Sequence, residues 1–169
     1  MEIFLIVFVL SFAVAGIHLY RDKQPRTGRR MAGILLLWLL VINVGLGGMW
    51  AFIGHAFFAE QVAESIGWPA GNPFQTEVAL ANLAIGALGI LCYWIRGNFW
   101  TAAVIATSIW LLGAAAIHVR ELVEVGNYNP GNAGLIFWLD ILSPLLLIVL
   151  LIYTSSHKQP TGQAQARTG

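Results

Sequence analysis

Five side chains of this sequence could share one chemistry: His55, Glu77, His118, Glu121 and Asp140. Imidazole and carboxylate are the donors of a hard or borderline divalent metal ion, and they are also the groups that exchange protons near neutral pH. His118 and Glu121 stand at i and i+3, so on a helix both reach one region. His55 lies seven residues after Gly48 and four after Ala51, on a small-residue face suited to packing against another helix. Asp140 falls about 10–12 Å inside a Leu/Ile-rich run, counting 1.5 Å per residue from Ala133. A carboxylate at that depth faces the bundle or a cavity and takes a partner. Pro144, four residues on, has no amide to bond the Asp140 carbonyl, and Ser143 adds a hydroxyl beside it.

The stretch "FIGHAFFAEQVAESIGWPAGNPFQTEVALAN" gathers His55, Glu60, Glu64, Glu77 and Asn82 with no Lys or Arg. Its residues cannot all serve one centre. At 100° per residue Glu77 and Asn82 stand ~140° apart around a helix. Asn82 shares a face with Ala79, Gly86 and Gly89 and reads as an interhelical hydrogen-bonding residue rather than a ligand. Glu77 also suits the first turn of a helix, where the dipole favours negative charge.

The elements that must position these groups follow from hydropathy. Hydrophobic residues make up 58% of the 169, and mean hydropathy is +0.74. Five apolar runs are long enough to cross a ~30 Å hydrocarbon core: Ile3–Tyr20, Met31–Phe57, Val78–Ile95, Phe99–Ile117 and Ala133–Thr154. The fold class expected is therefore all-α, a polytopic membrane helix bundle of five transmembrane helices. Helix from Met31 to Ile66 would run ~54 Å unbroken, so a bend is expected at Gly45, Gly47, Gly48 or Gly54. Beyond Phe57 the pattern of Phe58, Val62 and Ile66 against Glu60 and Glu64 predicts an interfacial amphipathic helix, stopped by Pro69 and Gly71. Asn72, Pro73 and Gln75 resemble a capping box opening span three, and Asn132 is expected to cap span five. Residues 1–157 form one transmembrane domain, with a polar, disordered tail over 158–169.

Eight of the nine Lys and Arg fall on one side of these spans: five in "RDKQPRTGRR", then Arg96, Lys158 and Arg167. Basic loops stay cytoplasmic, which places the N-terminus outside and the C-terminus inside the cytoplasmic (inner) membrane of the cell. The first run carries Glu2 ahead of it and its basic cluster behind it, the reverse of a cleaved signal peptide, so it is read as a retained helix. His55, Glu60, Glu64, Glu77, His118, Glu121, Glu124 and Asp140 then share the outer level, whereas His18 sits near the inner end of span one. Trp50, Trp68, Trp94 and Trp100 lie at span borders, as an aromatic belt would.

Net charge near +1 leaves no basic face for nucleic acid. A lone cysteine, Cys92, excludes an internal disulfide and dithiol redox chemistry. No Walker loop, nucleophile elbow or zincin motif is present, and whether the chain is an enzyme stays open.

The segments "GHAFFAEQVAESIGWPAGNPFQTEVALANLAIGALGIL", "GAAAIHVRE" and "NPGNAGLIFWLDILSP" together resemble an uncharacterised family of small prokaryotic integral membrane proteins. The resemblance runs from about Trp50 to Ile148 and leaves out span one. It implies a polytopic fold and no established activity.

Three functions are compatible with these residues. The first is a divalent-metal or small-ligand site at the outer face built from His55, Glu77, His118, Glu121 and Asp140, with haem between the two His a less natural occupant beside so many acids. The second is a proton relay or proton-coupled transporter in which Asp140 titrates. The third is a non-catalytic subunit docking on other membrane subunits or on a second copy.

Overall fold

The computed structural model describes residues 2–71 and 73–156; the Asn72 cap and the 158–169 tail lie outside them. Among the described residues there are eight α-helices and two π-helical segments, with no strand. In order they are α1 (Glu2–Arg21), α2 (Gly28–Trp38), a π segment (Leu39–Leu46), α3 (Gly47–Phe57), α4 (Ala59–Ile66), α5 (Phe74–Leu91), α6 (Asn98–Arg120), a π segment (Glu121–Val125), α7 (Pro130–Ala133) and α8 (Leu135–Ser155). Joined where they are continuous, these give five helices long and apolar enough to cross a membrane: Glu2–Arg21, Gly28–Phe57, Phe74–Leu91, Asn98–Val125 and Pro130–Ser155. That is the pattern of a multi-pass membrane protein.

Within the long second span the regular α-helix gives way to an eight-residue π segment over Leu39–Leu46, which contains Gly45, one of the glycines at which a bend is expected. The packing of these glycines is close. Gly45 and Gly48 lie against Gly89 and Gly86 of α5 so closely that the backbones touch. A Cβ added to Gly89 would lie 2.5 Å from the Gly45 nitrogen, and one on Gly48 would lie 2.7 Å from the Gly86 Cα. The two small-residue faces read from the sequence thus meet each other.

Leu36, Leu39, Leu40 and Val44 of the second span bury against Cys92, against Ala103 and Val104 of α6, and against Leu147 of α8. Apolar side chains such as Ile105, Ile109, Leu142, Leu145 and Val149 face outward from the mid-bundle, as lipid-solvated helices require.

The amphipathic helix α4 forms as expected but ends earlier, at Gly67. This glycine takes φ 84°, and the Gly67 and Trp68 amides both donate to the Ala63 carbonyl. Pro69 and Gly71 lie beyond the stop. Span three begins at Phe74, next to the Pro73 start expected for it and a turn ahead of the apolar run from Val78, and ends at Leu91, where amides of Tyr93 and Trp94 close tighter i→i−3 bonds. Asn132 does not cap span five. The cap position of α8 is Gly134, and Asn132 lies inside the short helix α7 with its side chain turned inward.

Candidate functional site

Five connected pieces build one end of the bundle: α4, the C-terminal end of α6 with its π segment, the 126–129 loop, α7 and the start of α8. Backbone fits against backbone here too. A Cβ on Gly131 would stand 2.6 Å from the Ser65 oxygen, so α7 seats directly on α4. Asn127 Nδ2 donates to the Ile66 carbonyl at 2.8 Å, closing the end of α4 from a loop 61 residues away. The same Nδ2 reaches Glu121 Oε2 at 3.4 Å, and Asn129 Nδ2 donates to Asn127 Oδ1 at 2.7 Å.

At the centre lies Asn132, fully buried. Its Nδ2 donates to the Asn127 carbonyl at 2.8 Å and to the His118 carbonyl at 3.3 Å. Two carbonyls therefore dictate which way the amide points, and its Oδ1 must face the other way, toward His118 Nδ1 at 2.7 Å. An amide oxygen only accepts, so Nδ1 carries the hydrogen. The second ring nitrogen, Nε2, then faces Asp140 Oδ2 across 3.8 Å. Both side chains are largely buried, with 7% and 13% of their surface exposed. Trp68 covers the imidazole, its ring tilted 20° from parallel with centroids 6.4 Å apart.

The consequence is chemical. With Nδ1 protonated, a neutral His118 presents a bare lone pair at Nε2, and an ionised Asp140 presents another. Two such acceptors facing each other in a buried place repel. A proton placed between them relieves that repulsion, on either the carboxylate or the ring. The 3.8 Å gap is longer than a direct hydrogen bond.

Of the five residues expected from sequence, the structure brings His118 and Asp140 face to face and ties Glu121 in behind them through Asn127. His55 is elsewhere. Its Nδ1 donates to Gln75 Oε1 of α5 at 2.6 Å, so Gln75 is the imidazole's partner; the capping box expected with Asn72 lies outside the described residues. Gln75 Nε2 is buried without a partner. Glu77 is exposed on α5. Among the described residues, no three His, Cys, Asp or Glu are grouped so as to hold a metal ion. Metal binding by the five as a set is thus unsupported, since a resident divalent ion takes three or more protein donors.

Asn82 takes the role read for it, accepting from Trp110 Nε1 of α6 at 3.2 Å. The residues that sequence reasoning passed over are Asn132, Asn127 and Trp68. Each has a commonplace local reading, as helix cap, turn residue and belt aromatic, and each acts instead on a group distant in sequence.

No curated protein and no solved structure matches the chain. A family model does, over residues 1–160, so the match includes the first span that the resemblance left aside. The chain accordingly belongs to the family of unknown function DUF6790.

Proposed function

We propose that this is a proton-responsive protein of the cytoplasmic membrane, in which the His118–Asp140 pair takes up and releases protons and works the cap above it. The observation that carries this reading is the fixed ring orientation: Asn132 determines the tautomer, and the free nitrogen is thereby aimed at a buried carboxylate. A structural hydrogen bond alone would not need the second, unfilled contact.

With the basic loop on the cytoplasmic side, the pair lies near the outer surface, within reach of protons from that side. Taking on a second proton turns the pair into imidazolium and carboxylic acid. This places a positive charge beneath Trp68 and alters the contact that holds α4 and α7 together. The protein then belongs with proton-coupled transport or gating devices rather than with metalloproteins. No substrate is assigned, and the side-chain chemistry requires none for the switch itself.

The test is 15N NMR of histidine in full-length protein in lipid nanodiscs, titrated between about pH 5 and 8. The expected result is a His118 signal whose Nε2 resonance moves with pH while Nδ1 stays protonated, and whose midpoint shifts in Asp140→Asn. An invariant His118 signal, or an identical titration in Asp140→Asn, refutes the proposal. Proteoliposome flux of protons, compared between the wild type and Asp140→Asn, then separates a transporter from a sensor.

A further inference from the structure

At the opposite end of the bundle a cavity of about 370 Å3 opens between α1, α2 and the start of α6. Its polar lining consists of His18, Arg30 and Arg96, and its apolar wall of Ile34, Leu37 and Trp100. Every polar side chain among these is a donor. Trp38 Nε1 donates to His18 Nδ1 at 3.0 Å, so in the neutral ring the hydrogen of His18 sits on Nε2. Arg96 lies over the Trp100 ring, 5.4 Å from its centroid, and among the described residues no carboxylate lies within ion-pair distance of it. Trp100 is itself anchored, donating from Nε1 to the Cys92 carbonyl at 2.9 Å.

Among the described residues Arg30 has one acidic partner, Asp22, bound through Nε at 2.5 Å. That contact uses one edge of the guanidinium and orients it; the terminal nitrogens remain as donors. Two guanidiniums and an imidazole N–H around one cavity, against a single carboxylate outside its lining, give a surplus of positive charge and of hydrogen-bond donors. A tetrahedral oxyanion with several acceptor oxygens matches this set, and guanidinium groups recognise it through paired N–H bonds.

We propose that this cavity is a phosphate-binding site, occupied by the phosphate of an anionic lipid headgroup or by a soluble phosphate. The two sources share the oxyanion. The apolar wall, at a membrane border, accommodates the glycerol end and first methylenes of a lipid and contributes nothing to free phosphate. The site is independent of the His118–Asp140 pair and stands or falls without it.

The experiment uses purified full-length protein in detergent. One arm measures retention of phosphatidylglycerol against phosphatidylcholine by native mass spectrometry. The other follows thermal unfolding with inorganic phosphate against chloride at matched ionic strength, with no phospholipid present. A lipid source predicts about fivefold preferential retention of phosphatidylglycerol, the order expected from one well-placed basic side chain near a membrane surface. That preference disappears in Arg96→Gln and in Arg30→Gln, and it persists in Arg26→Gln, a basic residue outside the cavity lining. A soluble source predicts instead that inorganic phosphate stabilises the wild type but not Arg96→Gln, without any lipid preference. Equal retention of both lipids together with no phosphate effect overturns the proposal. So does a loss in Arg26→Gln as large as that in Arg96→Gln, because general surface charge then accounts for the binding.

Discussion

The contacts of α3 with α5 and of α6 with α8 hold helices together by opposite means. Apolar attraction offers little here, since lipid is as apolar as the helices themselves. The first pair, with the π segment that leads into α3, removes side chains altogether: Gly45 and Gly48 meet Gly89 and Gly86 with backbones in contact. The second pair uses polar side chains, His118 against Asp140, with Asn132 holding the ring. Close packing of glycines has one good geometry and resists change. A polar pair with a shared proton has two, and can pass between them. On the reading proposed above, the difference separates a fixed seam from a movable one.

The largest effect should come from filling the fixed seam. Gly89→Ala places a methyl group 2.5 Å from the Gly45 backbone nitrogen and 2.6 Å from the Leu40 carbonyl oxygen, neither of which can swing aside. A loss of about 3 kcal/mol is expected, at the upper end for overpacking, read as a lower unfolding midpoint in detergent. Gly113→Ala is the matched control. Gly113 sits mid-helix with nothing within 4 Å, so the same change should leave stability unaltered or raise it by up to about 1 kcal/mol.

Next comes the support of the movable seam. Asn132→Ala strips the acceptor from His118 Nδ1 and the donor from two buried carbonyls, at an expected cost of about 2–3 kcal/mol. It should also release the ring from one tautomer, visible as mixed Nδ1–H and Nε2–H signals in histidine 15N spectra. A single unchanged tautomer would show that Asn132 does not orient the ring.

Asp140→Asn should cost less, within about 1 kcal/mol, because the amide can turn its own N–H toward His118 Nε2 and fill the contact. Its mark is spectroscopic: the response of Trp68 fluorescence to pH, expected in the wild type, should vanish. Glu124→Gln, which breaks an exposed ion pair with Arg120 at 2.7 Å, should leave the unfolding midpoint unmoved.

How much of this was legible beforehand depended on the range of the interaction. The five spans follow from runs of apolar residues, and α4 follows from the alternation of Phe58, Val62 and Ile66 with Glu60 and Glu64, because those signals are local. The glycine faces were legible as faces, and only their mutual partnership awaited the fold. The site was half legible. Asp140 announced itself through its depth, and His118 through its spacing to Glu121. Asn132 did not, since an asparagine next to a proline-glycine turn has every local reason to be a cap, and its bond to His118 reaches back 14 residues. Membrane level alone did not reveal the partner of His55, for a related reason. Level along the bundle normal says nothing of azimuth, and His55 turns to Gln75 instead.

The π segment over Leu39–Leu46 also acts as a gear between the two ends of the second span. A π turn carries extra chain compared with an α turn, so the segment offsets the angular position of everything after it relative to everything before. Deleting a single residue from the regular α-helix on either side, where no extra residue is present to absorb the change, would rotate α3 by about 100° relative to α2. Gly48 would then leave Gly86, and His55 would leave Gln75. The spacing from the arginine cavity at one end to the glycine seam at the other is thus set by residue count as much as by residue type. Length variation within this family should be excluded from the α-helical stretches that flank Leu39–Leu46 and admitted in the loop that follows α4.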